Sequence, residues 1–174
     1  MTKIFIINGL GGCGKSTFSK FCVDYYKEKY NKNAYEISTV DYVKEVAEYC
    51  GWQHTKFNKD RIFLHDIKEA LEAWNDSPTT SVFNKIEELD KNSNNNIYFV
   101  NIRESKYIEK FIRFAEDKNY YIETIIVEAP NIKSNEVPEL VNDIYSISYD
   151  YYIINDGSLE DLKKSAELFI DSVR

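Results

Sequence analysis

Positive charge is scarce in this chain. Its 174 residues include 22 lysines and arginines against 29 aspartates and glutamates, which gives a net charge of −7 at pH 7. Non-specific binding to nucleic acid or to an anionic membrane requires a basic face. The charge balance therefore argues against both partners, although a local basic pocket for phosphates is compatible with it. Arginine is especially rare and occurs only as Arg61, Arg103, Arg113 and Arg174.

Cysteines and long apolar runs are also few. Cys13, Cys22 and Cys50 have no metal-ligand spacing, and an odd number of cysteines without a signal peptide predicts reduced thiols in the cytoplasm. The longest apolar runs have the length of strands, which predicts no membrane span. The remaining composition is ordinary for a soluble globular protein, and residues 1–174 fit one domain.

The most specific motif lies within the first twenty residues. The segment 9–17 reads GLGGCGKST and matches the phosphate-binding loop G-x-x-x-x-G-K-[ST]. An apolar run, Ile4–Ile7, precedes it and a helix-like stretch follows, so that backbone N–H groups and the positive end of a helix converge on a phosphate. Lys15 is expected to reach the β- and γ-phosphates, and the Ser16 hydroxyl to bind Mg²⁺. We expect the chain to bind a nucleoside triphosphate, through Gly9, Gly11, Gly12, Cys13, Gly14, Lys15, Ser16 and Thr17.

Apolar runs and helical patterns alternate along the rest of the chain. The pattern predicts five strands and six helices; the strands are at 4–7, 34–38, 97–102, 122–127 and 151–154, and the helices at 15–29, 42–50, 59–74, 80–91, 105–117 and 158–173. Such alternation predicts parallel strands with right-handed crossovers, and hence a three-layer α/β/α domain.

Two segments interrupt this alternation. About sixty residues separate the second and third predicted strands, far more than a simple crossover needs. We interpret residues 41–92 as a helical insert at the edge of the phosphate site, where nucleotide kinases bind their acceptor. The long polar loop Ala129–Tyr149 contains Pro130 and Pro138 and is a candidate for a mobile lid.

Three short segments carry candidate residues for a second substrate. Asp41 follows the second strand, where it is suited either to orient an acceptor and hold Mg²⁺ through water or to cap the next helix. Arg61 and His65 lie one turn apart on the third predicted helix. They are either ligands for an acceptor phosphate or part of a solvated charged face. The third strand ends in Asn101, where an acid would be expected, followed by Arg103, whose planar guanidinium suits phosphoryl oxygens or a carboxylate partner.

Taken together, these segments resemble the P-loop nucleoside monophosphate kinase superfamily, and within it the phage-type deoxynucleoside monophosphate kinases. The resemblance covers almost the whole length and rests on segments 9–17, 39–45, 59–68, 100–104 and 149–159. It implies a five-stranded sheet in the order 2-3-1-4-5 and phosphoryl transfer from ATP to a deoxynucleoside monophosphate. It also implies that Asn155, in an Asn-x-Gly turn, lies near the adenine. The sequence leaves open whether the protein forms a homodimer.

The lid departs from the family pattern. Such kinases usually carry arginines in or beside the lid, whereas this chain has no arginine between residues 114 and 173. Lys133 is available there as a point charge but not as a bidentate donor. Losing an arginine of this kind can cost about 10³-fold in rate. Two alternatives to a nucleoside monophosphate kinase therefore stay open: a kinase for another monophosphate, of the phosphomevalonate or dephospho-coenzyme A type, and a regulatory protein that binds nucleotide without efficient transfer.

Overall fold

The computed structural model describes residues 1–55, 57–91, 93, 95–132 and 138–173. A single sheet of five parallel strands organises this part of the chain, in the order β2-β3-β1-β4-β5. This order confirms the prediction. The strands are β1 (Lys3–Asn8), β2 (Ala34–Ser38), β3 (Ile97–Asn101), β4 (Tyr121–Glu128) and β5 (Tyr151–Ile154).

Helices cover both faces of the sheet. They are α1 (Lys15–Tyr30), α2 (Thr39–Tyr49), α3 (Asn58–Asn75), α4 (Ser77–Asp90), α5 (Ser105–Asp117), α6 (Pro138–Ile144) and α7 (Leu159–Val173). Helices α1 and α7 pack on one face, and α4 and α5 pack on the other. The predicted three-layer α/β/α architecture is confirmed. None of the helices in the described ranges combines the length and the apolar character needed to cross a bilayer.

The central strand β1 holds the two layers of the core together. Its residues Ile4–Ile7 are fully buried, as expected for a parallel strand covered by helices on both sides. Phe5 and Ile7 face α1 and α7, whereas Ile4 and Ile6 face α4 and α5. The Phe5 ring lies 5.1 Å from that of Phe169, between ring centroids. Burial of each such side chain contributes about 1.5–3 kcal/mol, so β1 presents the loop that follows it from a rigid base.

Two sequence-based expectations were wrong in detail. The segment Ala129–Tyr149 is not a continuous loop, because it contains α6, where Ile144 is fully buried and packs with Ile126 of β4 and with Leu10. This apolar contact ties α6 to the body of the protein.

The predicted apolar face of α3 is the second correction. Helical spacing predicts that Phe63, Ile67, Leu71 and Trp74 form this face. Trp74 is 81% exposed, however, whereas the polar residues Lys68 and Glu72 of the same helix are buried. Lys68 forms an ion pair with Glu104, and Glu72 accepts a hydrogen bond from Thr79 (2.7 Å). Because these polar partners come from other elements, helical periodicity alone could not reveal which face of α3 is buried.

Candidate active site

The loop between β1 and α1 has a backbone that only glycine accommodates. Gly9, Gly12 and Gly14 have φ angles of 139°, 82° and 98°. A Cβ atom at Gly9 would lie 2.3 Å from the carbonyl oxygen of Val127, and one at Gly14 would lie 2.6 Å from Nδ2 of Asn155. Gly12 faces open space. The loop is therefore seated tightly against the ends of β4 and β5, and its middle stays accessible.

Asn8, the last residue of β1, fixes the start of this loop. Its side chain is fully buried, and Oδ1 accepts a hydrogen bond from the backbone N–H of Gly9 (2.7 Å). Nδ2 donates to the carbonyl oxygen of Arg103 (3.0 Å) and to the hydroxyl of Tyr149 (2.8 Å). One amide thus joins the phosphate loop, the exit of β3 and the segment after α6.

Lys15 and the start of α1 give the loop its positive charge. The Lys15 ammonium donates to the carbonyl oxygens of Gly9 (2.6 Å) and Leu10 (2.7 Å), which keeps the charge inside the concavity of the loop. Gly14 is the N-cap of helix α1, so no side chain caps the helix, and its first turn contains no acidic residue. Its first N–H groups and its dipole are therefore suited to an anion.

Asn155, directly after β5, supports the loop. Its Nδ2 donates to the carbonyl oxygen of Cys13 (3.0 Å), and its backbone N–H donates to the carbonyl oxygen of Glu128 (2.7 Å). The residue expected beside the adenine therefore contacts the phosphate loop directly. Next to it, Asn131 donates to the carbonyl oxygen of Asp156 (3.3 Å), which links the segments that follow β4 and β5.

A cavity of about 320 Å³ adjoins the loop on the β4 side. Polar and apolar atoms contribute about equally to its lining, which includes Leu10, Cys13, Val127, Glu128 and Tyr145. Burial raises the pKa of Tyr145, as does a hydrogen bond to Glu128. A concave pocket of this kind beside the loop offers room for a small molecule.

Asp41 serves as a helix cap. Its Oδ2 accepts a hydrogen bond from the backbone N–H of Ser38 (2.9 Å), while the Ser38 hydroxyl accepts one from Val40 N–H (3.3 Å). Its Oδ1 lies 3.9 Å from the Lys44 ammonium. The side chain is 56% exposed, so capping leaves part of the carboxylate accessible. The capping role and the substrate or metal role proposed from the sequence are therefore compatible.

Glu36 of β2 is a site residue that the sequence reasoning missed. Its Oε1 accepts a hydrogen bond from Nδ2 of Asn101 (2.9 Å), across the β2–β3 pair. Desolvation of the carboxylate raises the pKa of Glu36, and the charge of Asp41 raises it as well. Hydrogen bonding to Asn101 and to Ser16, and the positive charge of Lys20, act in the opposite direction. The contact with Asn101 and the effect of Ser16 on this pKa indicate that Glu36 lies near the start of α1.

On α3, the structure brings His65 to the exit of β3. Ligand atoms of His65, Glu69 and Glu104 lie within 4.8 Å of one another, and His65 itself is exposed. Two lysines pair with these carboxylates, since Lys68 bonds to Glu104 and Lys106 lies 2.8 Å from Glu69. The charges of the cluster are therefore largely compensated within the protein.

The two candidate arginines differ in how firmly they are placed. Arg61 is exposed on α3, one turn before His65, and its guanidinium has no hydrogen bond or ion pair with another described residue. Arg103 is half-buried after β3, and its carbonyl oxygen accepts from Asn8. Lys133, the positive charge expected in the lid, lies outside the described residues.

The oxygen donors near Ser16 suit a hard cation. Mg²⁺ prefers carboxylate and carbonyl oxygens together with phosphates and water. Besides Ser16 and Glu36, the site has Oδ1 of Asn101, a buried atom without a hydrogen-bond partner among the described residues. An unpaired buried carbonyl oxygen costs about 1–3 kcal/mol, and a cation or its bound water would satisfy it. The residues therefore fit the Mg²⁺ expected from the sequence.

Comparison with known proteins bears on the fold. No family model matches the chain, and no curated protein matches it. Among solved structures, an APS kinase from Mycobacterium tuberculosis in complex with AMPPNP and APS is similar over 98% of this chain and 96% of its own, with a TM-score of 0.52 and 14% identity. The tunicamycin resistance protein of Deinococcus radiodurans is similar over 97% of this chain and 96% of its own, with a TM-score of 0.56 and 9% identity. Together with the sheet order and the glycine loop, these likenesses show that the chain has a P-loop kinase fold.

Proposed function

We propose that this protein transfers the γ-phosphoryl group of ATP to a small phosphorylated acceptor, a (deoxy)nucleoside monophosphate, and releases ADP and the corresponding diphosphate. The observation that carries the proposal is the loop at residues 9–17, whose three positive-φ glycines and inward-held Lys15 form a cradle for phosphates. A neighbour of the same fold was solved with AMPPNP and APS, which supports a nucleotide and a small phosphorylated molecule as the two substrates.

The donor half of the proposed site consists of the loop and its supports. Backbone N–H groups at the start of α1 bind the phosphates, and Lys15 moves from the loop carbonyls to the β- and γ-phosphoryl oxygens. Asn155 holds the loop in place through Cys13. Mg²⁺ supplies neutralisation of phosphate charge when bound, with Ser16 as a ligand and Asp41 near it.

In the acceptor half, we assign the monophosphate to Arg61 and Arg103, with His65 and Asp41 beside it. Helix α3 reaches the exit of β3 through the Lys68–Glu104 pair, and His65 lies beside Glu104, the residue that follows Arg103. Such a transfer needs no strong general base, because an acceptor phosphate is already anionic. Positioning and charge neutralisation supply the rate enhancement.

The scarcity of positive charge in the lid favours one alternative. A regulatory protein would bind ATP and Mg²⁺ without accelerating transfer, and the absence of arginine from residues 114 to 173 is the observation that supports it. The opposing observation is the exposed Arg61 guanidinium, which has no partner in the described part of the chain and is available to an acceptor.

The test is acceptor-stimulated ADP release, measured with a coupled assay across deoxynucleoside monophosphates, nucleoside monophosphates, phosphomevalonate and dephospho-coenzyme A. We expect stimulation by a nucleoside monophosphate. Lys15→Ala should abolish it, whereas Lys32→Ala, which removes an exposed lysine between α1 and β2, should leave it unchanged. ATP binding without stimulation by any acceptor would overturn the kinase proposal and favour the regulatory alternative.

A further inference from the structure

The end of β3, where the sequence pattern predicts an acidic residue that binds Mg²⁺, carries no carboxylate. The last residue of β3 is Asn101, and an amide supplies no negative charge. Mg²⁺ sites on proteins usually include one or two carboxylates in addition to the substrate phosphates. If the chain binds Mg·ATP as proposed above, another residue has to supply the carboxylate.

We propose that Glu36 of β2 supplies this carboxylate, and that Asn101 is a positioning residue that holds it beside Ser16. The inference rests on the proposed ATP site and specifies its metal-binding acid. The metal-binding carboxylate then comes from the strand next to β3, and the amide at the end of β3 supports it.

The contacts of Glu36 carry the assignment. The Asn101 amide donates to its Oε1 (2.9 Å), and the Ser16 side chain lies close enough to lower the pKa of the Glu36 carboxyl group. The Asn101 amide uses its N–H₂ group for Glu36, which leaves Oδ1 buried without a partner among the described residues. The carboxylate, the hydroxyl and the amide oxygen are all ligand types that Mg²⁺ or its bound waters accept.

The geometry of the strand pair explains how Glu36 reaches the site. Ser38 is paired in register with Asn101, so Glu36 lies two residues, about 6.6 Å, before the end of β2. Ala34, two residues earlier again, faces α1 and α7, so alternation places Glu36 on the α1 side of the sheet. Glutamate has one methylene group more than aspartate, and this longer side chain offsets part of the distance.

Asp41 is less suited to this role than Glu36. Its Oδ2 is engaged by the backbone N–H of Ser38 in the cap of α2, and its Oδ1 is near Lys44. Removal of Asp41 would therefore disturb a helix start as well as any contact with metal. Glu36 lies within a strand, and its hydrogen bond comes from the Asn101 side chain of β3, so its removal leaves every helix cap intact.

The experiment measures how strongly Mg²⁺ increases nucleotide affinity. AMPPNP is titrated by calorimetry into the full-length protein in excess Mg²⁺ and in EDTA, and the ratio of the two Kd values reports the metal contribution. We expect Glu36→Gln to reduce this ratio about tenfold or more, because loss of a metal-orienting carboxylate typically costs 10–100-fold in metal affinity. Its affinity in EDTA should remain that of the wild type.

Two further variants complete the design. Glu28→Gln removes an exposed glutamate of α1 twelve residues from Ser16, about 18 Å along the helix, and should behave like the wild type. The double variant Glu36→Gln/Asn101→Asp returns the carboxylate to the end of β3 and preserves an amide–carboxylate pair. It should recover most of the ratio.

A wild-type Mg²⁺ effect in Glu36→Gln would overturn the inference. An equal loss of affinity with and without Mg²⁺ would also overturn it, because Glu36 would then shape the loop rather than hold the metal. Failure of the wild type to bind AMPPNP under either condition would contradict the proposed function itself. Melting curves of each variant verify that it is folded.

Discussion

The two halves of the site are built differently. Around the phosphate loop, nearly every contact involves backbone atoms or a buried amide, as Asn8 and Asn155 illustrate. Around α3, by contrast, side-chain ion pairs such as Lys68–Glu104 and Lys106–Glu69 make the connections. Apolar side chains of the insert are also exposed, Phe57 to 64% and Ile62 to 62%, whereas Asn8 at the start of the loop is fully buried.

This difference suggests a division of labour. The phosphate loop is fixed by backbone geometry and tolerates almost no substitution. It binds the triphosphate, which is the same in every nucleotide donor. The buried Lys68–Glu104 pair anchors the helical insert, whereas an exposed ion pair such as Lys106–Glu69 contributes only about 0–1 kcal/mol and can change its partners at little cost. We therefore expect donor binding to be rigid and acceptor recognition to be adaptable.

The largest expected effect concerns the glycines of the donor half. Gly9→Ala should destabilise the protein by roughly 2–4 kcal/mol and abolish nucleotide binding, because its Cβ would lie 2.3 Å from a backbone oxygen that cannot move away. Gly12→Ala is the matched variant, since its Cβ would meet nothing within 4 Å. It should cost only about 1–2 kcal/mol from its positive φ. Thermal unfolding and AMPPNP titration measure both; equal effects would contradict a tightly seated loop.

In the acceptor half, Arg61→Ala should raise the KM for the monophosphate about 10- to 100-fold while the affinity for ATP stays unchanged. The reason is the loss of charge-assisted hydrogen bonds, which are worth about 1.5–3 kcal/mol. Arg113→Ala removes an exposed arginine from α5 and serves as the control. Steady-state kinetics with the preferred acceptor give the answer; an effect on ATP alone would remove Arg61 from the acceptor half.

A smaller effect is expected for Asn155→Ala, which removes the hydrogen bond to the Cys13 carbonyl oxygen. Loss of one such bond costs about 0.5–1.5 kcal/mol, so the affinity for AMPPNP should fall about fivefold. Calorimetric titration detects this change. Should the affinity stay constant while the KM for the acceptor rises, the residue would belong to the other half of the site.

The smallest effect concerns Asp161 at the start of α7, the helix whose Leu162 lies close to Gly14. Hydrogen bonds from the Ser158 hydroxyl and backbone N–H lower the pKa of Asp161. A lowered pKa in the folded state stabilises the protein above the pKa of the unfolded state, and this contribution is lost as the pH falls through the folded value.

Asp161→Asn should therefore lower the melting temperature slightly near pH 6, and the difference from the wild type should shrink as the pH falls below about 4, the usual pKa of an aspartate. The neighbouring Glu160→Gln is the control, since it changes a charge in the same turn. A difference that persists unchanged at low pH would show that the charge of Asp161 does not account for the effect.

The ease of prediction also differs between the halves. The phosphate loop, the strand order and the ends of helix α5 (Ser105–Asp117) followed from local patterns, because a glycine motif and a strand period are written in consecutive residues. Asn8 carried a signal as well, as a polar residue that ends an apolar strand directly before Gly9. Two of its three partners, Arg103 and Tyr149, lie on distant segments and could not be inferred from that signal.

The contacts of Glu36 and Lys68 had no comparable signal. Glu36 reads as the polar position of an alternating strand, and Lys68 as an ordinary helical lysine. Each acquires its place only when a distant element supplies a partner, Asn101 in one case and Glu104 in the other. Helix α6 escaped prediction for a related reason, since its apolar contacts are Leu10 and β4.

Transfer of the γ-phosphoryl group from ATP to a monophosphate can be tested directly by following a label on that group. The protein is incubated with ATP labelled at the γ-phosphate, Mg²⁺ and the panel of monophosphates, and the products are separated. We expect label in a diphosphate formed from a nucleoside monophosphate, and no labelled diphosphate with Lys15→Ala. Label that stays in ATP, or that appears only as inorganic phosphate with every acceptor, would contradict phosphoryl transfer to a monophosphate.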